Sequence, residues 1–374
     1  MGQLPVIVLV IALVVGSEAQ NIGTKCRKDN REGVCIKIES CPSLLTLLRQ
    51  IRSGSAPSGS LNELRRSLCA FITEPLVCCT SFSSATPSRP DGPQVSGDSL
   101  LPSQCGVSAL TDRIIDGEAA PLLAWPWMVL FAGTKNSDGG FIFFCGGVLI
   151  SERYVLSAAH CFKSSNNIRQ VVARVGEHTL STNPDCEGGR CAPTPQDIPI
   201  ERVINHPDYQ RGCRSCNDIA LVRLSRSAVL DVLFVVPICL PRNPVQDLGF
   251  SVQQYRGKLG WAAGWGLISR DSRQSLRPDV LQQVQLPIQD SADCQRRTSS
   301  NPNPNSVLCA GGDGRDTCRG DSGGPLTLGS TLSSRTYVVG LTSHGPLECG
   351  TPNTQGVYTS VNYYVDWIIS NLQP

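Results

Sequence analysis

The sequence predicts an all-β, loop-rich protein preceded by a small cysteine-rich module, and three observations carry that expectation. Apolar residues come in short runs such as Trp127–Phe131, Val171–Val175 and Ala220–Leu224, broken by Gly and Pro, which is the pattern of strands joined by turns. The 374 residues include 35 Gly and 26 Pro but only 17% charged residues, a balance that suits a loop-rich β protein better than a helical one. Six of the 18 cysteines crowd into residues 26–79. The length suggests two or three units, and the formal net charge of +2 gives no reason to expect nucleic acid or an anionic membrane as partner.

Leu4 to Val15 is an apolar run of 12 residues, too short for a bilayer, which takes about 20. Ser17-Glu18-Ala19 puts small residues at cleavage positions, so residues 1–19 read as a secretory signal peptide, although Met1-Gly2-Gln3 lacks a basic side chain. All cysteines follow it in an even number, which in an oxidising compartment implies a full set of disulfides. Cys213-Arg214-Ser215-Cys216 has metal-like spacing, but no second Cys or His pair lies at finger distance, so zinc is set aside.

Residues 26–79 are too few to bury a self-sufficient core and must rely on crosslinks. Their six cysteines allow 15 pairings, among which spacing alone does not choose. Ser43–Arg52 and Leu61–Leu68 carry Leu at helical spacing on either side of Gly54–Gly59, which predicts two short helices. From Thr80 to Gln104 the chain is rich in Ser, Pro and Gly without apolar period, the composition of an extended linker. Beyond Arg113 the strand-length runs begin, and at the C-terminus Val361, Tyr364, Val365, Ile368, Ile369 and Leu372 form one face of a helix.

Three short motifs carry chemistry. Gly320-Asp321-Ser322-Gly323-Gly324-Pro325 seats a serine among backbone donors, Ser157-Ala158-Ala159-His160-Cys161 offers an imidazole, and Asn217-Asp218-Ile219-Ala220-Leu221 offers a carboxylate. A serine hydroxyl is a poor nucleophile near neutral pH and needs a base to take its proton, a role that suits imidazole with its ordinary pKa of about 6.5. A carboxylate behind the imidazole fixes its tautomer and stabilises the imidazolium. Each motif alone is common, whereas all three in the order His, Asp, Ser are specific. His178, His206 and His344 have no such context.

On these motifs residues 114–374 resemble the chymotrypsin (S1) family of serine proteases. The resemblance implies a chymotrypsin-like double β-barrel with a C-terminal helix, a catalytic His160, Asp218 and Ser322, and no cofactor for the chemistry. It assigns the oxyanion hole to the Gly320 and Ser322 amides, one of which is worth about 3–4 kcal/mol to the transition state. Asp316 becomes the floor of the S1 pocket, with Gly345 and Gly356 as walls that leave room for Arg or Lys. His344 stands where family members usually carry Trp or another aromatic beside the upstream subsites, so the specificity beyond the residue at the cut departs from pattern. Arg113-Ile114-Ile115-Asp116-Gly117 resembles an activation site: cleavage after Arg113 by a trypsin-like activator frees the Ile114 amine to pair with Asp321.

The cysteine-rich segment 26–79 resembles an arthropod clip domain, joined to the protease by a linker and activation segment over 80–113. That likeness implies the pairs Cys26–Cys78, Cys35–Cys69 and Cys41–Cys79. In the protease part, family pairings imply Cys145–Cys161, Cys294–Cys309 and Cys318–Cys349, with Cys105–Cys239 holding the N-terminal part after cleavage. Cys186, Cys191, Cys213 and Cys216 are left with local or crossed pairings open. Glu177 resembles the first ligand of a calcium loop, with Asp185, Glu187 and Asp197 nearby, and a solvated acidic loop is the equal alternative.

Together these likenesses lead us to expect a secreted, extracellular trypsin-like endopeptidase made as a zymogen. Its setting would be an innate-immune cascade such as prophenoloxidase activation, with clotting or Toll-ligand processing as alternatives. The expected partners are a downstream zymogen as substrate, an upstream activating protease and a serpin inhibitor. A non-catalytic clip-domain homologue acting as adaptor typically lacks the nucleophile, and Ser322 is present; a digestive trypsin has no use for an anchored N-terminal module.

Overall fold

The computed structural model describes residues 25–28, 31–37, 41, 44, 47, 63, 66–71, 75–80, 97–108, 118–135, 141–163, 168–213, 215–268, 276–290, 294 and 303–374. Residues 1–19, which the sequence predicts to be a signal peptide, and both Arg113 and Ile114 lie outside them. The chain divides into two compact units, 1–93 and 94–374.

The first unit is built on four antiparallel strands: β1 (Lys25–Lys28), β2 (Arg31–Lys37), β3 (Leu68–Phe71) and β4 (Pro75–Cys79), in the order β1-β2-β4-β3. Its disulfides are Cys26–Cys78, Cys35–Cys69 and Cys41–Cys79. Among the described residues Cys41, Leu44, Val77 and Cys79 form a small buried cluster, so two of the crosslinked cysteines are themselves part of this unit's core. Of the two Leu-rich stretches only scattered positions are described: residues 44, 47, 63 and 66 are helical, and Leu68 already belongs to β3.

The second unit opens with the short β5 (Glu118–Ala119) and continues as two barrels. In the first barrel, β6 (Met128–Lys135), β7 (Phe141–Leu149), β8 (Tyr154–Ser157) and β9 (Ile168–Val175) are joined by β12 (Gln196–Asn205) and β13 (Ala220–Leu224) in the closed order β12-β13-β8-β7-β6-β9. The hairpin of β10 (Cys186–Glu187) and β11 (Arg190–Cys191) lies in the connection between β9 and β12. The second barrel contains β14 (Leu259–Gly264), β15 (Gln282–Gln289), β16 (Val307–Gly311), β17 (Pro325–Gly329), β18 (Thr336–His344) and β19 (Gln355–Ser360). Its order is β14-β17-β18-β19-β16-β15, the ring closes where Ala262 pairs with Val284, and β5 adds to the outer edge of β15.

Each barrel has its own filling: Val129, Phe131, Val155 and Val222 in the first, Leu286, Leu326, Val339 and Tyr358 in the second. A third cluster takes Leu156 and Leu221 from one barrel, Val338 and Leu341 from the other, and Tyr364 and Ile368 from the C-terminal helix Val361–Ser370. Each such aliphatic side chain contributes about 1.5–3 kcal/mol by leaving water. This shared core fixes the two barrels against each other, and the site lies where their loops meet.

Six disulfides hold this unit: Cys105–Cys239, Cys145–Cys161, Cys186–Cys191, Cys213–Cys216, Cys294–Cys309 and Cys318–Cys349. The four cysteines left open by sequence thus pair locally. Cys105–Cys239 spans 134 residues, a loop whose closure contributes about 5 kcal/mol in chain-entropy terms. No helix among the described residues is long and apolar enough to cross a membrane.

Candidate active site

His160 and Asp218 are neighbours because β8 and β13 pair, with Ser157 opposite Ala220. His160 follows β8 in a 3-10 turn over Ala159–Phe162, and Asp218 stands just before β13. His160 Nδ1 lies 2.8 Å from Asp218 Oδ2, and the His160 amide donates to Oδ1 at 2.9 Å. The Ser343 hydroxyl donates to Oδ2 at 2.5 Å. Asp218 is 2% exposed. Burial opposes charge on it, but the bonds from His160 and Ser343 win and hold the carboxyl below its ordinary range. Its backbone is fixed too: the Asp218 carbonyl accepts from Thr359 Oγ1 at 2.8 Å, and Asn217, at φ +55°, accepts from Tyr364 of the C-terminal helix at 2.7 Å. Nothing in the motifs marks Ser343 as Asp218's third donor, because that contact joins residues 125 positions apart.

Ser322 is anchored to the segments around His160 through its backbone. Its carbonyl accepts from the Gly146 amide at 2.8 Å and lies 3.8 Å from Cys161 Sγ, one residue past His160. The turn that carries it is cross-tied by Asp321 N to Cys318 O at 3.0 Å, Gly324 N to Asp321 O at 2.8 Å and Gly323 N to Thr342 O at 2.7 Å. Gly320 has φ +106°, a conformation that disfavours any side chain. Cys145, His160 and Cys161 cluster as metal ligands do, but the two sulfurs are spent on a disulfide.

Asp316 lies between the two small residues that resemblance assigns to the same pocket. A Cβ on Gly356 would come within 2.8 Å of Asp316 Oδ1, and one on Gly345 within 3.7 Å of Oδ2, so at Gly356 a side chain would strike the carboxylate itself. Burial pushes Asp316 up to about 7 against the opposing amides of Gly350 and Thr317, and Oδ1 has no hydrogen-bond partner. Asp321 is raised by burial as well, opposed by the amides of Cys318 and Gly266 and by the Arg277 charge. Both carboxylates line one cavity of about 370 Å³, together with Gln283, whose buried Nε2 lacks a partner. Such a cavity is set up to receive a cation.

The acidic loop after β9 holds Glu177 and Asp185, both buried, and the His178 amide donates to both, at 2.9 and 3.1 Å. Burial raises Glu177 to about 7, with Asp185 adding to the effect. Arg174 approaches Glu177 at 3.2 Å and pairs with Asp197 at 2.7 Å, while Glu187 accepts from the Leu122 amide at 2.6 Å. The four acids therefore separate: two converge on His178, one is turned to Arg174, one caps Leu122.

A double barrel that presents a carboxylate-bound imidazole, a serine on a tight turn and a half-buried acid walled by two glycines is the structure of a serine protease. The trypsin family model matches residues 114–368, and the model for the regulatory CLIP domain of proteinases matches 26–79. The chain therefore belongs to the trypsin family and, within it, to the proteases that carry a clip domain. CLIP domain-containing serine protease HP8 of Bombyx mori is 38% identical over 375 residues, covering 94% of each chain. Phenoloxidase-activating factor 3 of Holotrichia diomphalia is 36% identical over 384 residues, covering 97% of this chain and 98% of its own. Among solved structures, that of neuropsin, a serine protease expressed in the limbic system of mouse brain, aligns with a TM-score of 0.52 at 29% identity, over 70% of this chain and 100% of its own.

Proposed function

We propose that this chain is a secreted zymogen which, once cut between Arg113 and Ile114, cleaves proteins after Arg or Lys in an innate-immune cascade of the prophenoloxidase-activating kind. The observation that carries the reading is the combination of the His160–Asp218–Ser343 hydrogen bonds with Ser322 on its tight turn and a half-buried Asp316 between Gly345 and Gly356. Ser322 Oγ attacks the substrate carbonyl carbon while His160 Nε2 takes its proton, and the Gly320 and Ser322 amides hold the oxyanion. As the C–N bond breaks, His160 gives that proton to the leaving amine, and water repeats the sequence on the acyl-enzyme. Asp316, between Gly345 and Gly356, pairs with the cationic side chain at the cut.

Activation draws on the second acid of that cavity. Asp321 opens to the cavity beside Asp316, and the amine of Ile114, released by an upstream trypsin-like protease, supplies its missing cation. The kinship with phenoloxidase-activating factor 3 supports a downstream zymogen as substrate, and a serpin is the inhibitor expected of this class.

The test uses the purified zymogen, a trypsin-like activator and peptides with Arg or Phe at the cut. Arg-directed activity is expected only after cleavage behind Arg113 and not in Ser322→Ala. Because Cys105 is bonded to Cys239, the cleaved protein should remain one species without reductant and separate into two with it. Clean cleavage without activity would replace this reading with that of a non-catalytic adaptor.

We further propose that Glu177 and Asp185 hold a structural Ca2+. Both carboxylates accept from the His178 amide and Arg174 reaches Glu177 at 3.2 Å, so the ion would take the guanidinium's place against Glu177 and tie the β9–β12 connection without entering the chemistry. Saturating Ca2+ should raise the melting temperature by about 5 °C or more relative to chelator. Glu177→Gln should remove the shift; equal melting with and without Ca2+ would refute the assignment.

A further inference from the structure

β15 carries Gln282 and Gln283 side by side. The Gln282 amide donates to the Val280 carbonyl at 2.8 Å. Gln283 is 1% exposed, its Oε1 accepts from the Trp125 indole at 2.8 Å, and its Nε2 has no partner. The indole can only donate, so this bond settles which end of the carboxamide is oxygen and directs the NH2 end away from Trp125. Gln283 borders the cavity that also holds Asp316 and Asp321. A buried N–H without an acceptor is costly, which is why such groups are rare and call for a partner.

The strand register says which part of the chain brings that partner. Gln283 stands opposite Glu118, and Gln282 opposite Ala119, in the antiparallel pairing of β15 with β5. Continued in that sense, the pairing carries the residues before Glu118 toward Val284, which lines the same cavity. Those residues are 114–117, outside the described set, and from Glu118 back to Ile114 the chain reaches at most roughly 14 Å. We infer that Gln283 is a positioning residue for activation: once Ile114 is free, Gln283 Nε2 donates to a main-chain carbonyl of residues 114–117 and so holds the new N-terminus in the cavity beside Asp321. The inference rests on the activation reading above and adds to it the neutral group that fixes the inserted chain.

The chemistry of the cavity singles out this occupant. The Ile114 ammonium and the Arg or Lys of a substrate carry donors only, so neither gives Nε2 an acceptor. Asp321 takes the Gly266 amide on Oδ1 and the Cys318 amide on Oδ2, each at 2.8 Å. Asp316 Oδ1, also unpartnered, lies beyond hydrogen-bond distance of Gln283. The carboxylate of Asp116 would bring another negative charge to Asp316 and Asp321, whereas a peptide carbonyl accepts without one.

The test follows the Ile114 amine in the fully cleaved, full-length protein. In the parent, insertion shields that amine from carbamylation by cyanate, read by mass spectrometry, and raises its pKa above the ordinary value of about 8. Activity is therefore held below the raised value and lost as pH rises through it. Gln283→Met keeps length and bulk but has no donor. It should speed carbamylation of Ile114 about tenfold, the scale of one hydrogen bond, and bring the alkaline midpoint of activity down by about one pH unit. Unchanged carbamylation and midpoint would overturn the inference while leaving activation intact. An amine as reactive in the cleaved parent as in the denatured chain would instead sink the activation reading. Because Gln283→Met also releases Trp125, a second measurement uses the parent itself, labelled at glutamine for NMR. The Gln283 side-chain amide protons should exchange with solvent at least tenfold more slowly after cleavage than before, and equal exchange would refute the hydrogen bond whether or not the variant folds.

Discussion

Activated protein carrying Asp218→Asn should hydrolyse Arg peptides about 10⁴-fold more slowly than the parent, with the loss in kcat and little change in KM. The reason lies in how Asp218 spends its oxygens. Oδ2 faces His160 Nδ1 at 2.8 Å and Ser343 Oγ at 2.5 Å, while Oδ1 takes the His160 amide at 2.9 Å. Asn has the same shape but only one acceptor atom. With its oxygen kept on the backbone amide, its NH2 confronts Nδ1, and His160 adopts the tautomer that carries a proton on Nε2. That nitrogen then cannot accept the Ser322 proton. Substrate binding does not involve Asp218 directly, so KM is spared. Ser343→Ala removes one donor of three and should lower kcat by about tenfold, the scale of a single hydrogen bond to a charged group. An Asp218→Asn enzyme within tenfold of the parent would show that Asp218 does not set the state of His160.

The parts of this protein that can be read in its sequence are those whose geometry is decided within a few residues. Gly320 to Pro325 is such a case, since a tight turn with φ +106° at its first residue demands Gly. The strand-length runs Trp127–Phe131 and Val171–Val175 contribute to β6 and β9, and the apolar face from Val361 to Ile369 lies on the C-terminal helix, with Leu372 just past its end, because periodicity and burial are local patterns. Contacts that depend on closure of the barrels are not legible in that way. The Ser343 to Asp218 bond requires β18 of one barrel to reach a loop of the other, and Arg174 lies between Glu177 and Asp197 only because β9 pairs with β12.

A benzamidinium ion should bind the activated protein about 100-fold more weakly at pH 5 than at pH 8, and Asp316 is the reason. Burial pushes this carboxyl up to about 7 in the absence of a ligand, since neither the Gly350 amide at 3.5 Å nor that of Thr317 compensates for lost water. An amidinium remains charged throughout this range, so it binds the ionised carboxylate, and protonation competes with it. With an acid of pKa about 7, the ionised fraction falls roughly tenfold for each pH unit below that value, reaching about 1% at pH 5. Linkage gives the converse sign in the complex: the bound cation favours the carboxylate, so the Asp316 pKa drops when the pocket is filled. Titration calorimetry between pH 5 and 8 reads the slope directly, without the catalytic step and hence without His160's role in turnover. Asp316→Asn should remove both the slope and most of the affinity, because a cation in this site would meet no charge; truncating one side of a buried pair costs about 2–5 kcal/mol. A flat affinity from pH 5 to pH 8 in the parent would mean that Asp316 is already ionised in the empty pocket, and that the site holds its charge by donors other than the cation it awaits.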